Sequence, residues 1–151
     1  MTEVHILGHE FKCEYDTGGG WGSETFSEVR ARAVTPKEKR PSVEVTRRGD
    51  TNMKYAFGLL DFDLEVQLPY RKDGTTEETV LAAFNSALEG KTNLILAVGN
   101  GLVATTGTKY LKCEYGIEEK SQPQEINGEA FITYTLKPAD SDNDATYTTT
   151  P

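Results

Sequence analysis

Apolar and polar residues alternate with a period of two along several segments of the chain. The clearest segment spans residues 59–68, in which one parity is apolar and the other is acidic or amide-bearing. The apolar set is Leu60, Phe62, Leu64, Val66 and Leu68, and the polar set is Asp61, Asp63, Glu65 and Gln67. Because successive side chains of a strand point to opposite faces, this segment predicts a strand with one buried face.

The same period predicts further strands before and after this segment. Residues 4–15 read as a strand that alternates through residues 9–15, residues 109–119 and 130–136 alternate in the same way, and residues 25–34 and 42–48 read as shorter extended runs. Their apolar faces are Phe11, Cys13 and Tyr15; Leu111, Cys113, Tyr115 and Ile117; and Ala130, Ile132, Tyr134 and Leu136. Residues 93–98 form a short apolar strand, and Gly99, Asn100 and Gly101 predict a hairpin turn into a return strand at residues 102–106.

In one segment the spacing of apolar residues is that of a helix. Its apolar positions recur at spacings of three and four, which predicts one amphipathic helix over residues 76–89. Thr75 and Glu78 fit a capping box, and Gly90 fits a C-terminal cap. The predicted fold is therefore mainly β, a sandwich or barrel of antiparallel strands flanked by one helix.

Two segments interrupt the strand pattern. Pro36 and Pro41 bracket the charged residues 37–40, which are unsuited to a central strand, and residues 48–52 have the composition of a turn. We therefore expect a long loop over residues 35–57. The chain becomes polar and acidic after Pro138. We expect one β domain over residues 1–138, followed by a flexible C-terminal arm over residues 139–151.

Charge is distributed unevenly along the chain. Residues 30–54 contain eight basic and three acidic side chains, a local charge of +5. Because the net charge of all 151 residues is -8, the rest of the chain carries -13. Such asymmetry favours association through surfaces of opposite sign, although a solvated basic loop has the same composition. The overall acidity argues against tight wrapping of nucleic acid.

Candidate chemistry is sparse. The glycines near Trp21 lack the lysine and helix of a phosphate-binding loop, and His5 and His9 do not converge on a strand. Cys13 and Cys113 are too few for a disulfide framework, so we expect buried thiols. No run of 18 apolar residues predicts a membrane span, and the first residues do not read as a secretory signal. We expect no enzyme activity, cofactor or metal site.

Four segments carry a resemblance to a known family. They are residues 57–65 (FGLLDFDLE), 79–90 (TVLAAFNSALEG), 94–98 (LILAV) and 128–138 (GEAFITYTLKP). In this order they resemble the strand, helix, strand and closing strand of the major tail tube proteins of long-tailed bacteriophages. The resemblance covers a little over half of the chain, and it lies in pattern more than in identity.

This resemblance implies an assembly. Six copies would form a ring with a continuous inner β-barrel, and rings would stack into a tube through which DNA passes without specific binding. The loop at residues 35–57 would reach a neighbouring ring, and the N-terminal residues and residues 139–151 would be further arms. Implied partners are further copies of the chain and tape-measure, tail-tip and terminator proteins, with no membrane. The implied location is the virion tail, assembled in the bacterial host cytoplasm.

Two residue sets are candidates for roles in such an assembly. The candidate inter-subunit set is basic and consists of Lys37, Lys39, Arg40, Arg47, Arg48 and Lys54. The candidate lumen set is acidic and consists of Asp61, Asp63 and Glu65, which would repel DNA and let it slide. Two other functions fit the sequence. One is a tube subunit of a bacterial contractile injection or secretion apparatus, and the other is a monomeric β-sandwich that binds carbohydrate near Trp21.

Overall fold

The computed structural model describes residues 11–69, 72–73, 76–77, 79–122 and 130–151. The elements in chain order are β1 (Lys12–Asp16), β2 (Phe26–Glu28), β3 (Ala33–Lys39), β4 (Ser42–Glu44), β5 (Tyr55–Phe57), β6 (Asp61–Pro69), β7 (Lys72–Asp73), β8 (Thr76–Glu77), α1 (Thr79–Gly90), β9 (Leu94–Gly99), β10 (Lys109–Ser121), β11 (Phe131–Pro138) and β12 (Thr146–Thr149). The predicted class is confirmed, since the chain is mainly β with antiparallel strands and a helix.

Eight strands form one sheet in the order β2-β1-β9-β10-β11-β6-β3, with β12 also paired to β10. Strand β10 has 13 residues, and its far edge pairs first with β12 and then with β11. The sheet is not a closed barrel. Residues 29–32 connect its ends, where the Val29 amide donates to the Cys13 carbonyl at 2.8 Å and the Arg32 amide donates to the Gln67 carbonyl at 2.7 Å.

The core lies between one face of this sheet and α1. The Phe84 ring of α1 packs edge-on against Tyr15 of β1 and Tyr134 of β11, with centroids 6.5 and 5.1 Å away. The predicted apolar faces of the strands are buried in this core, with Leu64, Val66, Leu68, Cys13, Tyr15, Leu111, Cys113, Tyr115, Ile132, Tyr134 and Leu136 among its members. Three members of these faces, Phe11, Leu60 and Ala130, are exposed because they lie just before the strands begin, and Phe62 and Ile117 are half-buried.

The predicted helix boundaries need correction. The helix begins at Thr79 instead of residue 76, because Thr76–Glu77 form β8 and pair with β7. Thr75 and Glu78 of the predicted capping box lie outside the described residues. At the other end the residue with left-handed backbone is Lys91 (φ 55), one position after Gly90. The Thr92 amide then donates to the Ala87 carbonyl at 3.0 Å, which closes the last turn.

The predicted long loop at residues 35–57 is also corrected. Residues up to Lys39 belong to β3, which pairs with β6, and β4 and β5 form a separate two-stranded hairpin. Strand β3 tolerates Pro36 because it lies at the sheet edge, where one side of its backbone needs no partner.

The predicted return strand at residues 102–106 is wrong, since the chain turns there and the strand resumes at Lys109. The Thr105 amide donates to the Leu102 carbonyl at 3.0 Å, so turn hydrogen bonds replace a strand ladder.

Candidate assembly surfaces

The face of the sheet that points away from α1, the outer face, is covered over β1, β9 and the first half of β10. Glu14, Ile95 and Ala97 lie on this face, yet they are only 6%, 9% and 2% exposed. Three connecting segments provide the cover. One is the loop at residues 17–24, another is the turn at residues 100–108, whose Val103 amide donates to Glu14 at 2.8 Å, and the third contains Asn143.

Asp16 shapes the loop at residues 17–24. Its carboxylate accepts hydrogen bonds from the amides of Gly18, Gly19, Gly20 and Thr25 at 2.8–3.1 Å. Burial raises the pKa of Asp16, but these backbone hydrogen bonds outweigh burial and leave the pKa below its usual 3.8. The carboxylate of Asp16 therefore holds the loop closed.

The same loop is fixed to β10 by Lys112. The ammonium lies 2.8 Å from the Glu24 carboxylate and 4.3 Å from the centre of the Trp21 ring. One face of the indole is therefore occupied by a cation from the same chain. This contact assigns Trp21 to the cover of the sheet and removes that face from the stacking surface predicted for a carbohydrate.

Among the described residues, no loop covers the outer face over β3, β6, β11 and the second half of β10, and we call this region the bare face. Its register places polar side chains beside one another across all four strands. They are Thr35, Lys37, Lys39, Asp61, Asp63, Glu65, Gln67, Thr133, Thr135, Lys137, Glu118, Glu119 and Ser121. An antiparallel sheet with one core face and one polar face is suited to contact water on the polar side.

The candidate lumen residues do not form a purely acidic surface. Lys39 lies 2.8 Å from Asp63, and Lys137 lies 4.0 Å from Asp63 and 3.9 Å from Glu118. The hydrogen bond from Lys39 lowers the pKa of Asp63 and raises the pKa of Lys39. Five carboxylates and three ammonium groups share the bare face, so its charge is mixed and only weakly acidic. Strands β3 and β11 place lysines beside the predicted carboxylates, and the lumen role of Asp61, Asp63 and Glu65 stays a prediction.

The six basic residues of the candidate inter-subunit set lie in three different places in the structure. Lys37 and Lys39 belong to the bare face, opposite Asp63 and Asp61 in the ladder of β3 and β6. The Arg40 guanidinium stacks on the Phe57 ring at 4.8 Å, at the base of the hairpin. The remaining three, Arg47, Arg48 and Lys54, lie towards its far end.

Residues 41–58 form what we call the projecting hairpin. All of these residues are exposed except Asp50, which is half-buried. Val43 and Phe57 are 67% and 58% exposed, and Val45, Met53 and Tyr55 are exposed as well. Asp50 stabilises the turn by accepting from the Arg47 amide at 2.7 Å and by pairing with Lys54 at 3.2 Å. The sequence analysis selected this segment for its basic residues and its turn. It did not select the exposed apolar residues, although they alternate along the sequence.

The C-terminal segment closes over one end of the sheet. Tyr147 of β12 donates a hydrogen bond to Glu38 of β3, and its ring packs edge-on near Phe62 with centroids 6.0 Å apart. Desolvation and this contact with Glu38 raise the pKa of Tyr147 to about 12. Tyr147 and Glu38 line a groove of about 500 Å³ that is also lined by Phe11 and Val98. The predicted arm at residues 139–151 is thus held against the sheet here, and its flexibility in solution stays a prediction.

Among the residues that the structure describes, reactive groups are not gathered into a chemical site. Cys13 and Cys113 are buried free thiols on strands separated by β9, and burial raises their pKa values to about 12 and about 11. Within the described ranges, no three His, Cys, Asp or Glu residues are grouped to hold a metal ion. The described part of the chain also contains no helix with the length and apolarity to cross a membrane.

No protein-family model and no curated protein sequence matches the chain. Solved structures do resemble it. The SPP1 tail tube shares 11% identity, with a TM-score of 0.73 over 96% of this chain and 80% of the other. A protein in the C6-symmetric tail of an empty gene transfer agent particle shares 14% identity, with a TM-score of 0.68 over 94% and 98%.

A third similar structure belongs to the PVC sheath-tube complex of an extracellular contractile injection system. It shares 12% identity, with a TM-score of 0.64 over 97% of this chain and 93% of the other. The three similarities span nearly the whole chain at very low identity, so they establish the fold and leave the function to be argued. The chain has a tail-tube-like fold.

Proposed function

We propose that this protein is the structural subunit of a phage tail tube. Copies of the chain form rings that stack around a channel, and DNA passes through that channel without specific binding. The tail-tube-like fold supports this proposal, because it extends over 94–96% of the chain in two tail structures. Fold alone does not determine function, so the proposal also needs surfaces suited to assembly.

The projecting hairpin is the observation that carries the proposal. An isolated two-stranded hairpin is marginally stable in water, and this one has exposed apolar side chains at five of its positions. Exposed apolar clusters of this kind mark surfaces that bind a partner. Repeated contacts between one patch and a different patch on the next copy extend a filament, so a hairpin that reaches a neighbouring ring is suited to stacking.

The bare face is suited to line the channel. It is polar, none of the loops in the described part of the chain covers it, and its lysines are interleaved with carboxylates. Mixed charge gives DNA phosphates neither a strong cationic site nor a strong barrier. We propose rings of six, in keeping with the C6 symmetry of the gene transfer agent tail. We also propose the virion tail as location, assembly in the bacterial cytoplasm, and tape-measure, tail-tip and terminator proteins as partners.

A tube subunit of a contractile injection system is the second candidate. The match to the PVC sheath-tube complex spans 97% of this chain, about as much as the matches to tails. The same ring-forming surfaces would serve both assemblies, and the difference would lie in the cargo and in the presence of a sheath. The proposed self-assembly is common to the two functions.

The experiment compares the wild-type protein with a variant in which a short Gly-Ser linker replaces residues 42–57. Sedimentation and negative-stain electron microscopy at several salt concentrations measure assembly, and circular dichroism checks the fold. We expect tubes or stacked rings from the wild type, and a folded variant that does not stack. A wild-type chain that stays monomeric at high concentration, even when tube fragments are added as seeds, would refute the proposal.

A further inference from the structure

A pocket of about 380 Å³ lies beside the loop at residues 17–24. It is bounded by this loop, the beginning of β9, Glu114 of β10 and Asn143 of the C-terminal segment. Leu94 and Ile95 form part of its lining, and each is only 9% exposed. The volume falls within the range of about 300–1,000 Å³ that is typical of small-molecule sites. This pocket can therefore accept a small organic ligand.

Glu114 holds two side-chain amides at the pocket. Its carboxylate accepts hydrogen bonds from the amide nitrogen of Asn93 at 3.3 Å and from that of Asn143 at 3.1 Å. The hydrogen bond from Asn143 is the largest cause that lowers the pKa of Glu114, so this carboxylate is charged at neutral pH. Because hydrogen bonds to a charged acceptor are strong, both amides are oriented before a ligand binds.

These two amides keep hydrogen-bonding groups for a ligand. Asn93 and Asn143 each have a second N–H group and a carbonyl oxygen, and these groups have no partner in the described part of the chain. Asp16 adds an acceptor, because its Oδ2 accepts a single hydrogen bond, from the Gly20 amide at 2.8 Å. Donors and acceptors are therefore available side by side, and a hydroxyl group can use both.

Trp21 gives the same pocket an aromatic surface. The Lys112 ammonium covers one face of the indole at 4.3 Å from its centre, but Lys112 does not line the pocket. Trp21 therefore borders the pocket with its other face or its edge. The ring is half-buried and is held by Lys112, so its position is fixed before a ligand binds. A fixed aromatic ring offers an apolar contact to the C–H groups of a sugar ring.

We propose that this pocket binds a neutral saccharide, with a sugar ring packed on Trp21 and neighbouring hydroxyls bonded to Asn93 and Asn143. The carboxylates of Asp16 and Glu114 would also attract a cationic amine. An ammonium group has no acceptor, however, so it would leave the amide N–H groups unused, whereas sugar hydroxyls satisfy amides and carboxylates together. The site belongs to a single subunit, so this binding function is separate from the proposed self-assembly.

Fluorescence titration tests the proposal, because Trp21 is the single tryptophan of the sequence and reports on this pocket alone. The probes are glucose, galactose, N-acetylglucosamine, cellobiose, lactose and chitobiose, added to dilute, unassembled protein. Sorbitol is the control for hydroxyl groups without a ring, and spermidine is the cationic probe. Asn143→Ala removes one amide from the pocket. Asn52→Ala is the matched control, since Asn52 is exposed in the projecting hairpin. Circular dichroism checks the fold of each variant.

We expect at least one of the six sugars to change the Trp21 emission saturably, with half-saturation on the order of 1 mM. Asn143→Ala should weaken that binding about tenfold, because one hydrogen bond to the sugar is lost. Asn52→Ala should bind as the wild type does. If Asn143→Ala does not fold, Asn93→Ala removes the other amide and should give the same loss.

Three results would overturn the proposal. They are the absence of saturable binding by all six sugars, saturation by spermidine or sorbitol without saturation by a sugar, and equal sugar affinity in the wild type and the folded amide variant. All of these measurements use the unassembled subunit. A failed titration would therefore leave the proposed tube function standing, and a failure to form tubes would leave the saccharide site standing.

Discussion

Lys112 fixes the loop at residues 17–24, which covers part of the outer face. Its ammonium pairs with Glu24 at 2.8 Å, and the two side chains are only 15% and 9% exposed. Lys112→Met keeps most of the aliphatic stem but removes the charge. Glu24 then keeps the hydrogen bond from the Gly22 amide at 2.9 Å without its cationic partner.

The expected cost follows from the burial of this pair. Removing one partner of a fully buried ion pair costs about 3–5 kcal/mol, because the other charge stays desolvated. Here the loop is at the surface and can open to hydrate Glu24, so we expect about 2–3 kcal/mol. With a slope of about 2 kcal/mol per molar in urea, the midpoint of unfolding should fall by about 1 M.

Lys12→Met is the matched control, because Lys12 occupies the same position in the other copy of the tetrapeptide Lys-Cys-Glu-Tyr. Lys12 pairs with Glu28 at 3.4 Å, but both side chains are about one-third exposed. An exposed pair is worth about 0–1 kcal/mol, so the control should unfold close to the wild-type midpoint. Adding Glu24→Gln to Lys112→Met should recover part of the loss, since no unpaired charge remains buried.

The stability that Lys112 contributes should also depend on pH. Burial raises the pKa of Glu24, but the hydrogen bonds from Lys112 and Gly22 outweigh it and leave the pKa below its usual 4.5. A lowered pKa stabilises the fold above the unfolded value, and that stability is lost as pH falls through the folded value. The difference between wild type and Lys112→Met should therefore be full at pH 7 and shrink below about pH 4.5. Equal midpoints at pH 7, or a difference that persists at low pH, would refute this reasoning.

Three further predictions concern the core, the bare face and the terminal segments. Phe84→Ala should destabilise the protein by about 3–5 kcal/mol in urea, because the ring is fully buried between Tyr15 and Tyr134; a cost below about 1 kcal/mol would contradict this. Replacing Asp61, Asp63 and Glu65 by amides leaves two carboxylates against three lysines on the bare face. Genome passage should then slow, because the face attracts DNA phosphates. Unchanged ejection kinetics and infectivity would contradict a channel role. Hydrogen exchange at residues 35–57 and 139–151 should slow on assembly, and equal exchange in subunit and tube would exclude these segments from the contacts.

Much of the core could be predicted from the sequence. Alternation along β6 identified Leu64, Val66 and Leu68 as buried, because one face of an antiparallel sheet packs on the core. The helix was predicted from its apolar spacing, although its start was placed too early. The capping box of Thr75 and Glu78 predicted a start at residue 76, but Thr76 and Glu77 pair with β7, so their backbone groups belong to a strand ladder.

The candidate surfaces were harder to predict because they depend on register between distant strands. Lys39 and Asp63 are 24 positions apart, and their ion pair exists only because β3 lies beside β6 at one register. Neither charge counts nor alternation specifies that register. The burial of Glu14 and Ala97 could not be predicted from the sequence either, because it depends on loops that fold back over the outer face.

Cryo-electron microscopy of tubes assembled from the purified chain tests the central claim most directly. A helical reconstruction would show which face of the sheet borders the channel and what each projecting hairpin contacts. The account predicts stacked rings in which Asp63 and Lys137 of the bare face line an open channel, with each hairpin crossing into an adjacent ring. Filaments without a channel, or a tube with the bare face on its outer surface, would contradict it.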